Sequence, residues 1–193
     1  FLGAAIAMSS LTFAQQFGAK AGVNVSTISD DSDLNQKSKV GYYAGVFMNA
    51  PIAENFSIQP EVLYNNLGAK LTEDSETSTL NLDYVTVPVM FQYNATPNFY
   101  LEAGPEFGFL VNSKVKSYNE FTEAIGNEIY KKDNMNSFNF GIGLGAGYYF
   151  TPNIGITARY VAGFTDVTKE NSDVTTNAKN RNNTFQAGLA FKF

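Results

Sequence analysis

The sequence predicts an all-β chain: an eight-stranded, antiparallel, up-and-down transmembrane β-barrel with short periplasmic turns and long extracellular loops. Three observations carry this. Apolar and polar residues alternate with a period of two from Phe17 to Phe193. The alternating segments number eight, each about as long as the 9–11 residues a tilted strand needs to cross a bilayer. Their connections are alternately short and long.

In chain order, the first segment alternates Phe17, Ala19, Ala21, Val23 and Val25 with Gly18, Lys20, Gly22, Asn24 and Ser26. Val40 to Asn49 is strand-like, but aromatics on both of its faces blur them. The third sets Phe56, Ile58, Pro60, Val62 and Tyr64 against Ser57, Gln59, Glu61, Leu63 and Asn65. The fourth sets Val85, Val87, Val89, Phe91 and Tyr93 against Tyr84, Thr86, Pro88, Met90 and Gln92. The fifth sets Phe99, Leu101, Ala103, Pro105, Phe107 and Phe109 against Tyr100, Glu102, Gly104, Glu106 and Gly108.

The sixth, Phe138 to Phe150, is the sharpest. One face is wholly apolar, while Gly141, Gly143, Gly145 and Gly147 recur on the other. Interior glycines would cost a helix about 1 kcal/mol each, and side chains on a strand point alternately to its two faces. The seventh alternates Ile154, Ile156, Ala158, Tyr160 and Ala162 with Gly155, Thr157, Arg159, Val161 and Gly163. The eighth alternates Phe185, Ala187, Leu189, Phe191 and Phe193 with Thr184, Gln186, Gly188, Ala190 and Lys192.

Pro51–Asn55, Ala95–Asn98 and Thr151–Asn153 are short and rich in Pro and Asn, which is turn chemistry. The connections around Ser29–Lys39, Thr72–Thr79, Ser113–Asn136 and Asp166–Asn182 are longer and polar. A soluble barrel would hold its apolar face inside. Rings of Phe and Tyr do not suit a narrow lumen, whereas a Gly-rich interior does, so the apolar face is expected toward lipid. Pro60, Pro88 and Pro105 resist the pattern. A closed barrel has no edge where a missing N–H is harmless, so bulges or unpaired positions are expected there.

Ahead of the barrel, residues 1–14 read FLGAAIAMSSLTFA, uncharged and rich in small residues. They are expected to be part of a signal peptide cleaved after Ala14, leaving residues 15–193 as the barrel domain, exported to the cell outer membrane.

Composition narrows the chemistry. Charged residues are only 16% of the 193, with no Cys and no His. This excludes disulfide frameworks, thiolate sites and every Ser-His or Cys-His pairing. A net charge of −5 argues against nucleic acid as a partner. No catalytic, cofactor-binding or metal-ligating residue is assigned, and the expected cofactor is none. Asp30, Asp31 and Asp33, and Glu73, Asp74 and Glu76, are acidic loop clusters without the Gly and terminal Glu of a calcium-binding loop. Glu102 and Glu106 would stand roughly 13 Å apart along one strand, too far for paired carboxylate catalysis.

The interior is expected to hold Glu61, Glu102 and Glu106 with Lys20, Arg159 and Lys192, because buried charges must be paired. Counting positions up from the short turns places Glu102 near Lys20 and Lys192, and Arg159 near Glu61 and Glu106. Tyr148, Tyr149, Phe150, Tyr93, Phe99 and Tyr100, near strand ends, suggest aromatic girdles.

The stretches FGAKAGVNVST, SIQPEVLYNNLG, LDYVTVPVMFQYN and YLEAGPEFGFLV, with the final Gly-rich strand pair, resemble the PorT-type outer-membrane β-barrel family of Bacteroidota-like bacteria, from about Phe17 to Phe193. The resemblance implies fold and location and says little of activity. The end, Gln186 to Phe193, is similar to the insertion signal of outer-membrane barrels, which implies recognition by the barrel-assembly machinery. The partners expected are therefore outer-membrane lipid, that machinery, and a protein bound through the extracellular loops, of which Ser113–Asn136 is the longest. The expected role is non-enzymatic, structural or partner-binding, linked to secretion or surface assembly. The alternative is a small, porin-like ion or solute pore.

Overall fold

The computed structural model describes residues 15–29, 36–73, 76–119, 124–128, 136–166 and 181–193. Its strands are β1 (Gln16–Ser29), β2 (Gln36–Ala53), β3 (Phe56–Glu73), β4 (Glu76–Asn94), β5 (Phe99–Asn119), β6 (Ala124–Glu128), β7 (Phe138–Tyr149), β8 (Ile154–Asp166) and β9 (Arg181–Lys192). All pairings are antiparallel. β1 to β5 pair in sequence, β5 passes to β7, and β7, β8 and β9 return to β1. The ring therefore closes at eight strands, as the alternation predicts. β6 is the addition. It pairs with Val115–Asn119 at the far end of β5, outside the ring.

Alternation decides which face is which. The large apolar side chains of the outward positions are exposed, Phe17 at 55%, Val46 at 56% and Leu144 at 60% among them, while Leu63 and Met90 on the inward positions are at 0%. A continuous apolar exterior of this extent is compatible with lipid and not with water. In β2, where sequence blurs the faces, Tyr43, Phe47 and Asn49 point in and Val40, Tyr42 and Val46 point out.

Two of the three short connections share one device. In Thr96-Pro97-Asn98 the Thr96 hydroxyl accepts from the Phe99 N–H at 3.0 Å, and in Thr151-Pro152-Asn153 the Thr151 hydroxyl accepts from the Ile154 N–H at 2.9 Å. Both threonine N–H groups then donate to the carbonyl three residues on, at 3.2 Å. Asn153 adds bonds to Lys192 through its side chain and its carbonyl, which tie the β7–β8 turn to the end of β9.

Two expectations need correction. Within the Thr72–Thr79 stretch, residues 72–73 and 76–79 are strand rather than loop, since Thr72 pairs with Thr77 and Glu73 with Glu76. Likewise β5 continues through Ser113 to Asn119. The reason is that polar residues outside the membrane keep pairing wherever a neighbouring strand supplies partners, and no apolar pattern marks them. β3, β4 and β5 consequently make a tall wall of 18, 19 and 21 residues, and the described strands β7, β8 and β9 run 12, 13 and 12.

The prolines produce unpaired positions, not bulges. The β2–β3, β3–β4 and β4–β5 ladders each skip two pairs beside Pro60, Pro88 and Pro105, and each resumes in the same register. One missing N–H per seam interrupts the ladder without adding a residue. Bulges occur elsewhere. Gly68, at φ +138°, sits by the irregularity between Ser38 and Tyr43, in a conformation that L side chains rarely adopt. Residues 1–14, Asp30, Asp31, Asp33 and Asp74 lie outside the described residues.

Candidate functional site

The ring encloses a lumen, and side chains fill it in layers. At the short-turn end Phe47, Tyr100, Tyr149 and Ala190 form an apolar floor, with the Tyr100 and Tyr149 rings 6.1 Å apart. Tyr100 and Tyr149 therefore belong to the interior and not to a girdle, because strand parity turns them inward. Tyr93, Tyr148 and Phe150 do face outward.

Beside the floor, at the same end of the lumen, lies an amide layer. Asn49 Nδ2 donates to Gln92 Oε1 at 2.7 Å and lies 3.1 Å from Ser57 Oγ. Gln59 Nε2 donates to Glu61 Oε1 at 2.8 Å, and Gln92 Nε2 to Glu102 Oε2 at 3.0 Å. These amides hold the carboxylates from below.

The ionic layer comes next. Glu61 is fully buried. Its Oε1 accepts from Lys20 Nζ and from Arg159 Nη2, both at 2.7 Å, and its Oε2 accepts from Arg159 Nη1 at 3.0 Å. Arg159 turns its remaining edge to Glu102, with Nε 2.8 Å and Nη2 2.7 Å from Oε1. A planar guanidinium with its donors in a fixed fork can serve two carboxylates in this way, and a lysine cannot.

Bare walls make room for it. A Cβ on Gly145 would sit 3.0 Å from Glu102 Oε1, and one on Gly143 would sit 3.3 Å from Arg159 Cδ. The glycine row on β7 is thus the space that the arginine and its partner occupy.

Over the ions, Asn65 donates to Thr86 Oγ1 at 2.9 Å and accepts from Gln186 at 3.0 Å. Leu67, Leu82, Tyr84 and Leu110 then form an apolar cluster on the β3–β5 side of the lumen. The gap bounded by Lys20, Tyr43, Glu102, Thr157, Arg159 and Gln186 is too narrow to seat a water molecule.

The predicted charges do converge, but in different pairs. Arg159 meets Glu61 as expected and Glu102 in place of Glu106. Lys20 meets Glu61, not Glu102. Lys192 stays out of the network, its Nζ 3.8 Å from the centroid of the Tyr149 ring. Glu106 is buried, and its Oε2 has no hydrogen-bond partner among the described residues. Counting height along the strands ignores position around the ring. β1 and β5 are diametrically opposed, whereas β1 and β3, and β5 and β8, are each separated by a single strand. The shorter chord selects Lys20–Glu61 and Glu102–Arg159. Only the long Arg159 side chain spans the full lumen, from β8 to β3.

The amides missed from sequence have an identifiable signal: Gln59, Gln92, Asn65 and Gln186 all sit on the inward parity. Asn49 lacks one, because the faces of its segment are blurred. Among the described residues no group of three or more Asp or Glu side chains could hold a metal ion.

The family described as Outer membrane protein beta-barrel domain matches residues 13–169. The chain belongs to this family. It is accordingly an outer-membrane β-barrel protein. The solved structures of small outer-membrane barrels agree on the fold. Neisserial surface protein A superposes with a TM-score of 0.55 at 13% identity, over 92% of this chain and 97% of that one. Ail, the attachment invasion locus protein of Yersinia pestis, solved in complex with the heparin analogue sucrose octasulfate, gives 0.52 at 14% identity, over 94% and 100%. No curated protein matches the chain.

Proposed function

We propose that this outer-membrane barrel is a closed, non-enzymatic anchor that presents its long-loop end to a protein partner in the envelope, in a PorT-type role linked to secretion or surface assembly. The observation that carries the reading is the filled lumen: apolar clusters and hydrogen-bonded polar layers leave no room for water in the central gap, and Arg159 bridges Glu61 and Glu102 there. A transport path would have to dismantle paired buried charges, which is costly in a low-dielectric interior. The tall β3–β5 wall supports the same reading, because it carries paired sheet beyond the apolar band and β6 extends it.

Two measurements test it. In planar bilayers the purified barrel is expected to show no steps above baseline, and steady conductance would establish the small-pore alternative instead. In cells, crosslinking and capture should recover a partner that is lost when Ser113–Asn136 is shortened. Recovery of the barrel alone, with no conductance, would leave a purely structural envelope role.

A further inference from the structure

On the outer surface of the tall wall, the change from lipid-like to polar falls within one register row on three neighbouring strands. Tyr64, Val85 and Phe109 form an apolar row, Val111 is exposed at the bulge just beyond it, and Asn66, Asp83 and Asn112 form the next row. That polar row is bonded crosswise: Asn66 Nδ2 donates to Asp83 Oδ1 at 2.6 Å, and Asn112 Nδ2 to Asp83 Oδ2 at 3.0 Å. Buried Lys39 braces it from behind, donating to the Leu67 carbonyl at 2.7 Å and to Asn66 Oδ1 at 2.5 Å.

Above this row Lys114, paired with Asn81, and then Lys70, paired with Thr79, stand exposed on the outward face of β5 and β3. Among the described residues neither forms an ion pair. Asp83, on the same face, already has both oxygens engaged by the asparagines. Two exposed cations thus stand above the edge of the apolar band, on a chain whose net charge is −5. The tall wall keeps them on paired sheet beyond the apolar band.

We infer that this face of β3–β5 is a docking surface for the phosphate-bearing headgroups of outer-leaflet lipid. Lys70 and Lys114 supply the charge, and the apolar rows below seat the acyl chains. Continuity with the lipid-facing band commits the site to a lipid and not to a free anion, because a phosphate held here brings its chains against Tyr64, Val85 and Phe109. Each lysine close to an anionic headgroup layer is expected to contribute about fivefold to lipid retention. The contribution should fade with salt, since exposed charges are screened.

The test compares the full chain with the double variant Lys70→Gln, Lys114→Gln. Each is reconstituted in nanodiscs of phosphatidylcholine containing either diphosphorylated lipid A or its dephosphorylated form, then extracted and weighed by native mass spectrometry for co-purifying lipid. The heat-dependent gel shift of the folded barrel confirms that the variant folds. A second double variant, Lys70→Arg, Lys114→Arg, keeps the charge. The expected result is selective retention of the phosphorylated lipid by wild type and by the arginine variant, reduced at least tenfold in the glutamine variant. Equal retention by all three proteins would overturn the inference. So would retention indifferent to the lipid phosphate, or displacement of the lipid by millimolar inorganic phosphate at constant ionic strength, which would make the ligand a free anion.

Discussion

Arg159 grips Glu61 through two nitrogens, Nη1 at 3.0 Å and Nη2 at 2.7 Å, across the full width of the lumen. Ninety-eight positions separate the two residues in sequence, and nothing local joins them. They act as a crossbar between β8 and β3, on opposite sides of the ring.

Removing one end of that crossbar leaves buried carboxylates without their main partner. Arg159→Leu is expected to destabilise the barrel by about 3–5 kcal/mol. Urea titration in lipid vesicles, followed by tyrosine fluorescence or the gel shift, reads this directly, and an unchanged midpoint would remove the crossbar from the account. Replacing the set together (Lys20→Met, Glu61→Leu, Glu102→Leu, Arg159→Met) should cost far less than the single change, since no charge is then stranded.

The two acids Glu61 and Glu106 should behave in opposite ways. Glu61 holds Lys20 and Arg159, so Glu61→Gln is expected to lose about 3 kcal/mol or more. Glu106 is buried with one oxygen unpartnered, so Glu106→Gln removes a charge that lacks compensation and should leave stability equal or raise it by about 1 kcal/mol. Equal losses from both variants in the same titration would contradict the pairing described above.

The glycine row is expected to be intolerant where the ions sit. A Cβ on Gly145 would stand 2.6 Å from the Ala158 carbonyl oxygen as well as 3.0 Å from Glu102 Oε1. Gly145→Val should therefore cost about 1–3 kcal/mol through forced displacement of Glu102 and the wall. Outward Ala146→Val, which faces lipid, should be near neutral. The contrast between neighbouring positions is the readout.

Salt offers a check without mutation. The Lys20–Glu61–Arg159–Glu102 network is buried and screened little, so raising sodium chloride from 0.05 to about 0.5 M should leave the unfolding midpoint of the barrel in vesicles nearly unchanged. A steep fall would mean that ions reach the lumen, and would favour the pore.

Much of this was legible in the chain. The face of nearly every residue followed from parity, because a strand has no other way to place successive side chains. The short turns followed from Thr-Pro-Asn chemistry at 96–98 and 151–153. Where parity had no contrast to work with, as in Val40–Asn49, the faces of Tyr43 and Asn49 stayed hidden. The ends of β3, β4 and β5 were hidden too, since polar residues beyond the membrane pair through their backbones and leave no pattern.

By itself, then, the sequence determined the architecture: eight strands, an apolar exterior, a polar and glycine-rich interior, and the same six charges aimed inward. Tertiary structure decided which charges meet. Lys20 found Glu61, Arg159 took Glu61 and Glu102, Lys192 settled on the Tyr149 ring, and Glu106 was left over. The reason is geometric. Period-two alternation is a property of one strand and is written along it, whereas a pairing across a lumen depends on angular position around a closed ring and on the reach of each side chain, and neither exists until the ring closes.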